Sequence, residues 1–131
     1  MVRIGYPCIN RSIGCTPNRT FRLASFSEQR LVETVSANLT CLQSTLRYNV
    51  DHGIGTFRIG SGLVPFASHP VCSDIDWVKR FRGQLHEVGH FAQSHAMRLS
   101  MHPDQFLVLN SPDRGVVGRS VAQLDYHVRL L

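Results

Sequence analysis

Lysine is almost missing from this chain: Lys79 is the only one, so the other basic residues among its 14 are arginines. The formal net charge of +5 is therefore carried by guanidinium groups. These present a planar fork suited to phosphate oxygens, which makes a nucleic acid a plausible partner. A genome whose base composition favours arginine codons explains the bias equally well, and the charges form no basic block. No run of apolar residues reaches the length of a membrane span. The N-terminus, "MVRIGYPC", lacks the apolar core of a secretory signal, so secretion is not expected and a cytoplasmic location is. C-x-x-C spacing is absent as well. Cys8, Cys15, Cys41 and Cys72 are expected to be reduced thiols rather than a zinc knuckle or a disulfide framework. There is no low-complexity segment and no internal repeat, and 43% apolar with 18% charged residues is ordinary for one globular domain.

What the chain does contain is an alternation of two hydrophobic periods. Val2 to Tyr6 is apolar enough for a buried strand, and a polar, turn-rich loop follows from Pro7 to Phe26. Ser27 is a good helix N-cap, with Glu28 in the first turn and Phe26 and Leu31 at the positions of a hydrophobic staple. Leu31, Val35, Leu39, Leu42, Leu46 and Val50 then recur at helical spacing until Gly53. Ile54 to Ile59 reads as a second strand, and "GSGLVPFASHP" as an irregular loop. A second helix is expected from about Ser73 to Ser94, and a third strand from Met97 to Met101. Ser111 is expected to cap a third helix with Pro112 at its first position; Val117, Val121, Leu124, Val128 and Leu131 form its apolar stripe.

Strands alternating with amphipathic helices imply parallel βαβ units with right-handed crossovers. Three such units cannot close a (β/α)8 barrel, and three parallel strands leave two bare edges. The expected fold is thus α/β: the first three βα units of a (β/α)8 TIM barrel, with outer helices and the barrel incomplete in this chain. A small open α/β sandwich is the competing architecture.

In parallel α/β folds the chemistry gathers at the carboxyl ends of the strands. Tyr6 and Asn10 follow the first strand, His69 the second, and His102 the third. Each histidine precedes a proline that would stiffen its loop. A single histidine in such a loop is ordinarily a hydrogen-bonded loop residue. Two at equivalent positions in consecutive units point instead to a shared metal. Gln105 and Phe106 lie just beyond His102, where an amide and a ring could hydrogen-bond and stack with a nucleobase. Equally, Phe106 could pack beneath the loop. His52, His95 and His127 are read as helix-end or surface histidines.

A second metal signature competes. "HEVGH", His86 to His90, has the H-E-x-x-H pattern that places two histidines on one helical face around zinc, with Glu87 as general base of a metalloprotease. It falls on the expected second helix, but no third ligand follows at a suitable position. The protease stands as an alternative, as does another metallo-barrel such as a sugar isomerase, or a non-catalytic binding half-barrel.

Taken together, "IGYPCIN", "NRTFRL", "NLTCLQSTLRYNVDHGIGTFRI", "LVPFASHP", "RLSMHPDQFLVLNSP" and "LDYHVRLL" resemble the UV-damage endonuclease family, from Arg3 onward and in consistent order. The two His-Pro blocks are the most specific parts. The resemblance implies that residues 1–131 are the N-terminal portion of one barrel domain related to endonuclease IV and the xylose-isomerase-like barrels. It implies a monomeric enzyme when complete, which nicks double-stranded DNA immediately 5′ of ultraviolet photoproducts with a cluster of divalent metals, manganese favoured. His69 and His102 would be metal ligands, and Tyr6, Asn10, Gln105 and Phe106 would face the lesion-binding groove. Tyrosine is frequent in the family where this chain has Phe106. Carboxylates and further histidines from later strands would complete the site, so the chain alone is expected to be inactive.

Overall fold

The computed structural model describes residues 2–131. Its three strands, β1 (Gly5–Pro7), β2 (Thr56–Gly60) and β3 (Arg98–His102), form a parallel sheet in the order β1-β2-β3. The register pairs Tyr6 with Phe57 and Phe57 with Leu99, one position from each strand. Helix α1 (Glu28–Asp51) follows β1; α2 (Trp77–Arg80) and α3 (Arg82–Ser94) follow β2; α4 (Arg114–Leu130) follows β3. Side-chain alternation sorts the faces of the sheet. Phe57, Ile59 and Met101 are buried against the helices, whereas Arg58 and Arg98 project from the opposite, open face.

The long helix forms as its sequence dictates. The Ser27 side chain accepts from the Arg30 N–H, and Phe26 packs beside the core that contains Leu31. Leu31, Val35, Leu39, Leu42 and Leu46 are all at most 1% exposed and form the spine of the core with Phe57, Trp77, Phe81, Val88 and Ala92. At its end the Ile54 N–H donates to the Asn49 carbonyl and the Gly53 N–H to that of Val50. This is a Schellman motif with Gly53 at φ 67°. Helix α3 ends identically, with Met97 donating to Ala92 and Ala96 to Gln93, except that the left-handed position is Ala96, at φ 50°.

Several expectations are corrected. Strand β1 is only Gly5–Pro7, and Val2 and Ile4 are 90% and 77% exposed rather than buried, because β1 is an edge with no neighbour on its outer side among the described residues. The single helix expected from Ser73 to Ser94 is broken. A 3-10 turn covers Pro70–Cys72, Asp76 caps α2, and the chain kinks at Phe81, whose ring goes into the core. The cap of α4 is Asp113, which accepts from the Gly115 and Val116 N–H groups; Ser111 instead accepts from the Asp113 N–H in the preceding turn.

The face of α4 is also not the one its apolar stripe suggested. Val121, Val128 and Leu131 are 53%, 76% and 68% exposed, while Ser120, Tyr126 and His127 are buried. Polar and aromatic anchors set this orientation. The Val64 N–H donates to the Tyr126 hydroxyl, Tyr126 meets Trp77 edge-on, and the Ser120 hydroxyl accepts from the Val108 N–H. His127 is therefore not a surface histidine, although His52 and His95 do terminate helices.

The cysteines are not all reduced. Cys15 and Cys41 form a disulfide; Cys8 and Cys72 remain free thiols. The pair spans 26 residues, so no local spacing signals it. The loop after β1 folds back along α1, and Asn38, one turn before Cys41, holds it there. The buried Asn38 amide accepts from the Arg19 N–H at 2.8 Å and donates to the carbonyls of Arg19 and Leu63 at 3.0 Å each.

Candidate active-site rim

The three strands run in the same direction, so their carboxyl ends form one rim. A cavity of about 400 Å³ opens there, lined by Cys8, Asn18, Gly60, His102, Gln105 and Phe106 among others. Its walls approach closely. The Asn18 amide donates to the Cys8 carbonyl at 3.1 Å, and a Cβ on Gly60 would lie 2.3 Å from Asn18 Oδ1. A larger residue at position 60 would require the Asn18 side chain to move. Asn18 Oδ1 itself is buried without a partner, an acceptor left free in the cavity wall.

His102 is the last residue of β3 and is exposed on this rim. Its Nδ1 lies 3.0 Å from the Pro103 carbonyl oxygen, which can only accept. Nδ1 of the neutral ring therefore carries the proton, leaving a lone pair on Nε2, the tautomer that ligation through Nε2 requires. His69 differs. Its Nδ1 accepts from the Val71 N–H at 3.1 Å as the cap of the 3-10 turn, so a neutral ring carries its proton on Nε2. Ligation through Nε2 would require His69 to give up that hydrogen bond. His69 also lines a separate depression with Asp74, Asp76, Asp125 and Arg129, not the cavity of His102. Among the described residues no three His, Cys, Asp or Glu side chains are placed to hold a metal ion together. As a donor set, His102 fits a divalent ion as it stands, His69 fits after rearrangement, and neither completes a site.

Beyond His102, Asp104 shapes the loop. Its carboxylate accepts from the Phe106 N–H at 2.9 Å and its carbonyl from the Leu107 N–H. That turn puts Gln105 and Phe106 in solvent, with Phe106 76% exposed. The packing of this ring beneath the loop is thus excluded; it stands free at the cavity mouth.

Tyr6 and Asn10 follow the first strand as expected but do not line this cavity: Tyr6 pairs with Phe57 and packs against the core, and the polar atoms of both residues are engaged inward. The Tyr6 hydroxyl donates to Asn49 Oδ1 at 2.5 Å and accepts from the Asn10 amide at 2.7 Å, while Asn10 Oδ1 accepts from the Ser12 N–H at 2.8 Å. Burial pushes the Tyr6 phenol upward from its usual range, although its two amide neighbours oppose this. The pair is thereby tied to α1 through Asn49, which is fully buried and anchors Tyr6 in the layer between sheet and helix.

His86, Glu87 and His90 are exposed on α3, in the helix layer rather than at the rim, and line a groove against α1. Glu87 accepts from the Gln43 amide at 3.3 Å, and among the described residues no third ligand joins the histidines.

Comparison with known proteins identifies the family. The family described as UV-endonuclease UvdE matches residues 2–131. A UV DNA damage endonuclease of Clostridium perfringens is 35% identical over 99% of this chain, and a putative UV-damage endonuclease of Acanthamoeba polyphaga mimivirus is 35% identical over all of it. The crystal structure of SacUVDE superposes on the whole chain with a TM-score of 0.96 at 40% identity. The chain spans less than half of each: 31% and 42% of the two relatives and 45% of the solved structure. With residues 2–131 matched by the family's pattern and its fold shared at that level, the chain belongs to the UV-endonuclease UvdE family.

Proposed function

We propose that this chain is part of a metal-dependent DNA-repair endonuclease that hydrolyses the phosphodiester immediately 5′ of ultraviolet photoproducts in double-stranded DNA. The observation that carries the reading is the family match across residues 2–131. The open-edged parallel sheet supports the architectural part, in which these are the first three βα units of a (β/α)8 barrel. Divalent ions, with manganese the favoured one, would supply Lewis-acid chemistry that activates water and stabilises the leaving oxygen. On the protein side, His102 offers Nε2 to such an ion, and His69 does so once it releases Val71. Gln105 and Phe106, held outward by Asp104, would enter the space beside a photoproduct. A distorted step costs less to unstack than an intact one, and an exposed ring can occupy the gap. Tyr6 and Asn10, whose polar atoms are engaged with Asn49, Ser12 and each other, would meet the lesion-binding groove only after giving up those bonds.

The test is a chimera in which this chain replaces the corresponding segment of the Clostridium perfringens relative. Duplex carrying a single photoproduct should be nicked on its 5′ side, and His102→Ala should abolish nicking while leaving the fold intact. A folded chimera that cuts damaged and undamaged duplex equally, or neither, would overturn the assignment. The isolated chain should leave irradiated plasmid intact, since no complete metal cluster exists among its described residues. Robust nicking by it alone would refute the incomplete-site reading.

A further inference from the structure

We infer that the groove between α1 and α3 holds a second metal site, formed by His86 and His90 and selective for borderline transition ions such as Zn2+, Ni2+ or Cu2+. Both residues lie inside the regular helix Arg82–Ser94 with a spacing of four, which stacks their side chains on one face. Two imidazoles so placed can close a chelate around one ion.

The hydrogen-bond pattern singles this pair out. Six of the seven histidines are exposed. In four of those six, Nδ1 is already engaged: His52 with the Tyr48 carbonyl, His69 with the Val71 amide, His95 with the Phe91 carbonyl and His102 with the Pro103 carbonyl. His52 and His95 are further stacked on Tyr48 and Phe91. Of these six, only His86 and His90 have rings that make no hydrogen bond among the described residues, so either ring can turn its lone pair inward at no cost in broken contacts.

The groove they line measures about 490 Å³, ample for an ion with water in its remaining positions. Arg47 and Glu87 bring opposite charges to it, so no excess positive charge repels a cation. Glu87 is held by Gln43 and stays out of the ligand set, which leaves the site two-coordinate from protein. A bare pair of imidazoles ranks ions by the Irving–Williams order, so Mn2+ would bind far more weakly here than Cu2+, Ni2+ or Zn2+. The site is therefore separate from the rim in ligands, in place and in metal preference.

Equilibrium dialysis of the 131-residue chain against Ni2+ or Zn2+ tests this directly. One equivalent should be lost in His86→Ala and again in His90→Ala, and kept in His69→Ala and His102→Ala. All four side chains are exposed, so the variants should retain the wild-type circular dichroism spectrum. Electron paramagnetic resonance at one equivalent of Cu2+ should show two nitrogen ligands, reduced to one in either α3 variant. Binding that is unchanged in both His86→Ala and His90→Ala, or no binding by the wild-type chain, would overturn the proposal.

Discussion

Asn38→Leu should be among the most damaging single changes in the chain, and its cost can be worked from its contacts. Asn38 is fully buried on α1, and its amide makes three good hydrogen bonds, to the Arg19 N–H, the Arg19 carbonyl and the Leu63 carbonyl. Leucine has a similar volume, so packing changes little and the loss is polar. The Leu63 carbonyl lies in a buried environment, and leaving it bare costs about 1–3 kcal/mol. The two Arg19 groups are only partly buried and can recruit water, so each loses roughly 0.5–1.5 kcal/mol. The sum is about 2–6 kcal/mol, a large share of the roughly 5–15 kcal/mol that stabilises a typical domain. Urea unfolding followed by circular dichroism measures it as a lower midpoint at constant slope. Asn38→Asp separates the polar argument from shape. It keeps an acceptor for the Arg19 N–H but sets a carboxylate oxygen against two carbonyls, so it should cost at least as much. A loss below about 1 kcal/mol in both variants would refute the claim that this amide docks the loop.

The same loop is held by the disulfide, and closing a 26-residue separation contributes about 3.5 kcal/mol on the chain-entropy account. Cys15→Ser or reduction by a dithiol should lower the urea midpoint accordingly, and combined with Asn38→Leu it should cost less than the sum. The two Schellman ends should respond oppositely. Ala96→Gly should stabilise by about 0.5–1 kcal/mol, by relieving a left-handed alanine, and Gly53→Ala should destabilise by a similar amount. A Cβ at Gly53 meets nothing within 4 Å, so that cost is conformational, and matching thermal melts check both signs. Burial holds the His127 imidazole below its ordinary pKa, and its Nε2 has no partner. The unfolded chain then takes up a proton that the folded one refuses. His127 is therefore without penalty above the ordinary histidine value, and stability falls as pH drops through it. His127→Phe should flatten that part of the stability–pH curve; an unchanged slope would show that His127 is not its source.

The fold was largely legible because its signals are local. Ser27, the staple of Phe26 on Leu31, the leucine spacing of α1 and Gly53 each act within a turn of helix, and each is found where local chemistry puts it. The parallel order followed from alternating periods alone. Errors arose where a distant contact decides. The stripe of α4 is a good helical pattern, yet Tyr126 meeting Trp77 and Val64 turns that stripe outward. Cys15 and Cys41 are joined by a loop whose path depends on Asn38, and nothing within a few residues of either thiol announces it.

The rim shows the same division in a form that bears on chemistry. Topology is enough to send Tyr6, His69 and His102 toward one end of the sheet, but topology does not assign protons. His102 meets a carbonyl and His69 meets an N–H, so two residues with the same His-Pro signature hold opposite tautomers. That difference depends on the backbone one or two residues downstream: His69 caps a 3-10 turn, whereas His102 ends a strand. A metal that drew both through Nε2 would have to release the Val71 N–H and loosen the Pro70–Cys72 turn. Occupancy of the rim should then be felt at residues 69–73 and not at Pro103. Amide hydrogen exchange of Val71 in the chimera with and without Mn2+ reports on this. Faster exchange with metal is expected, and unchanged protection would mean that His69 stays out of the ligand set.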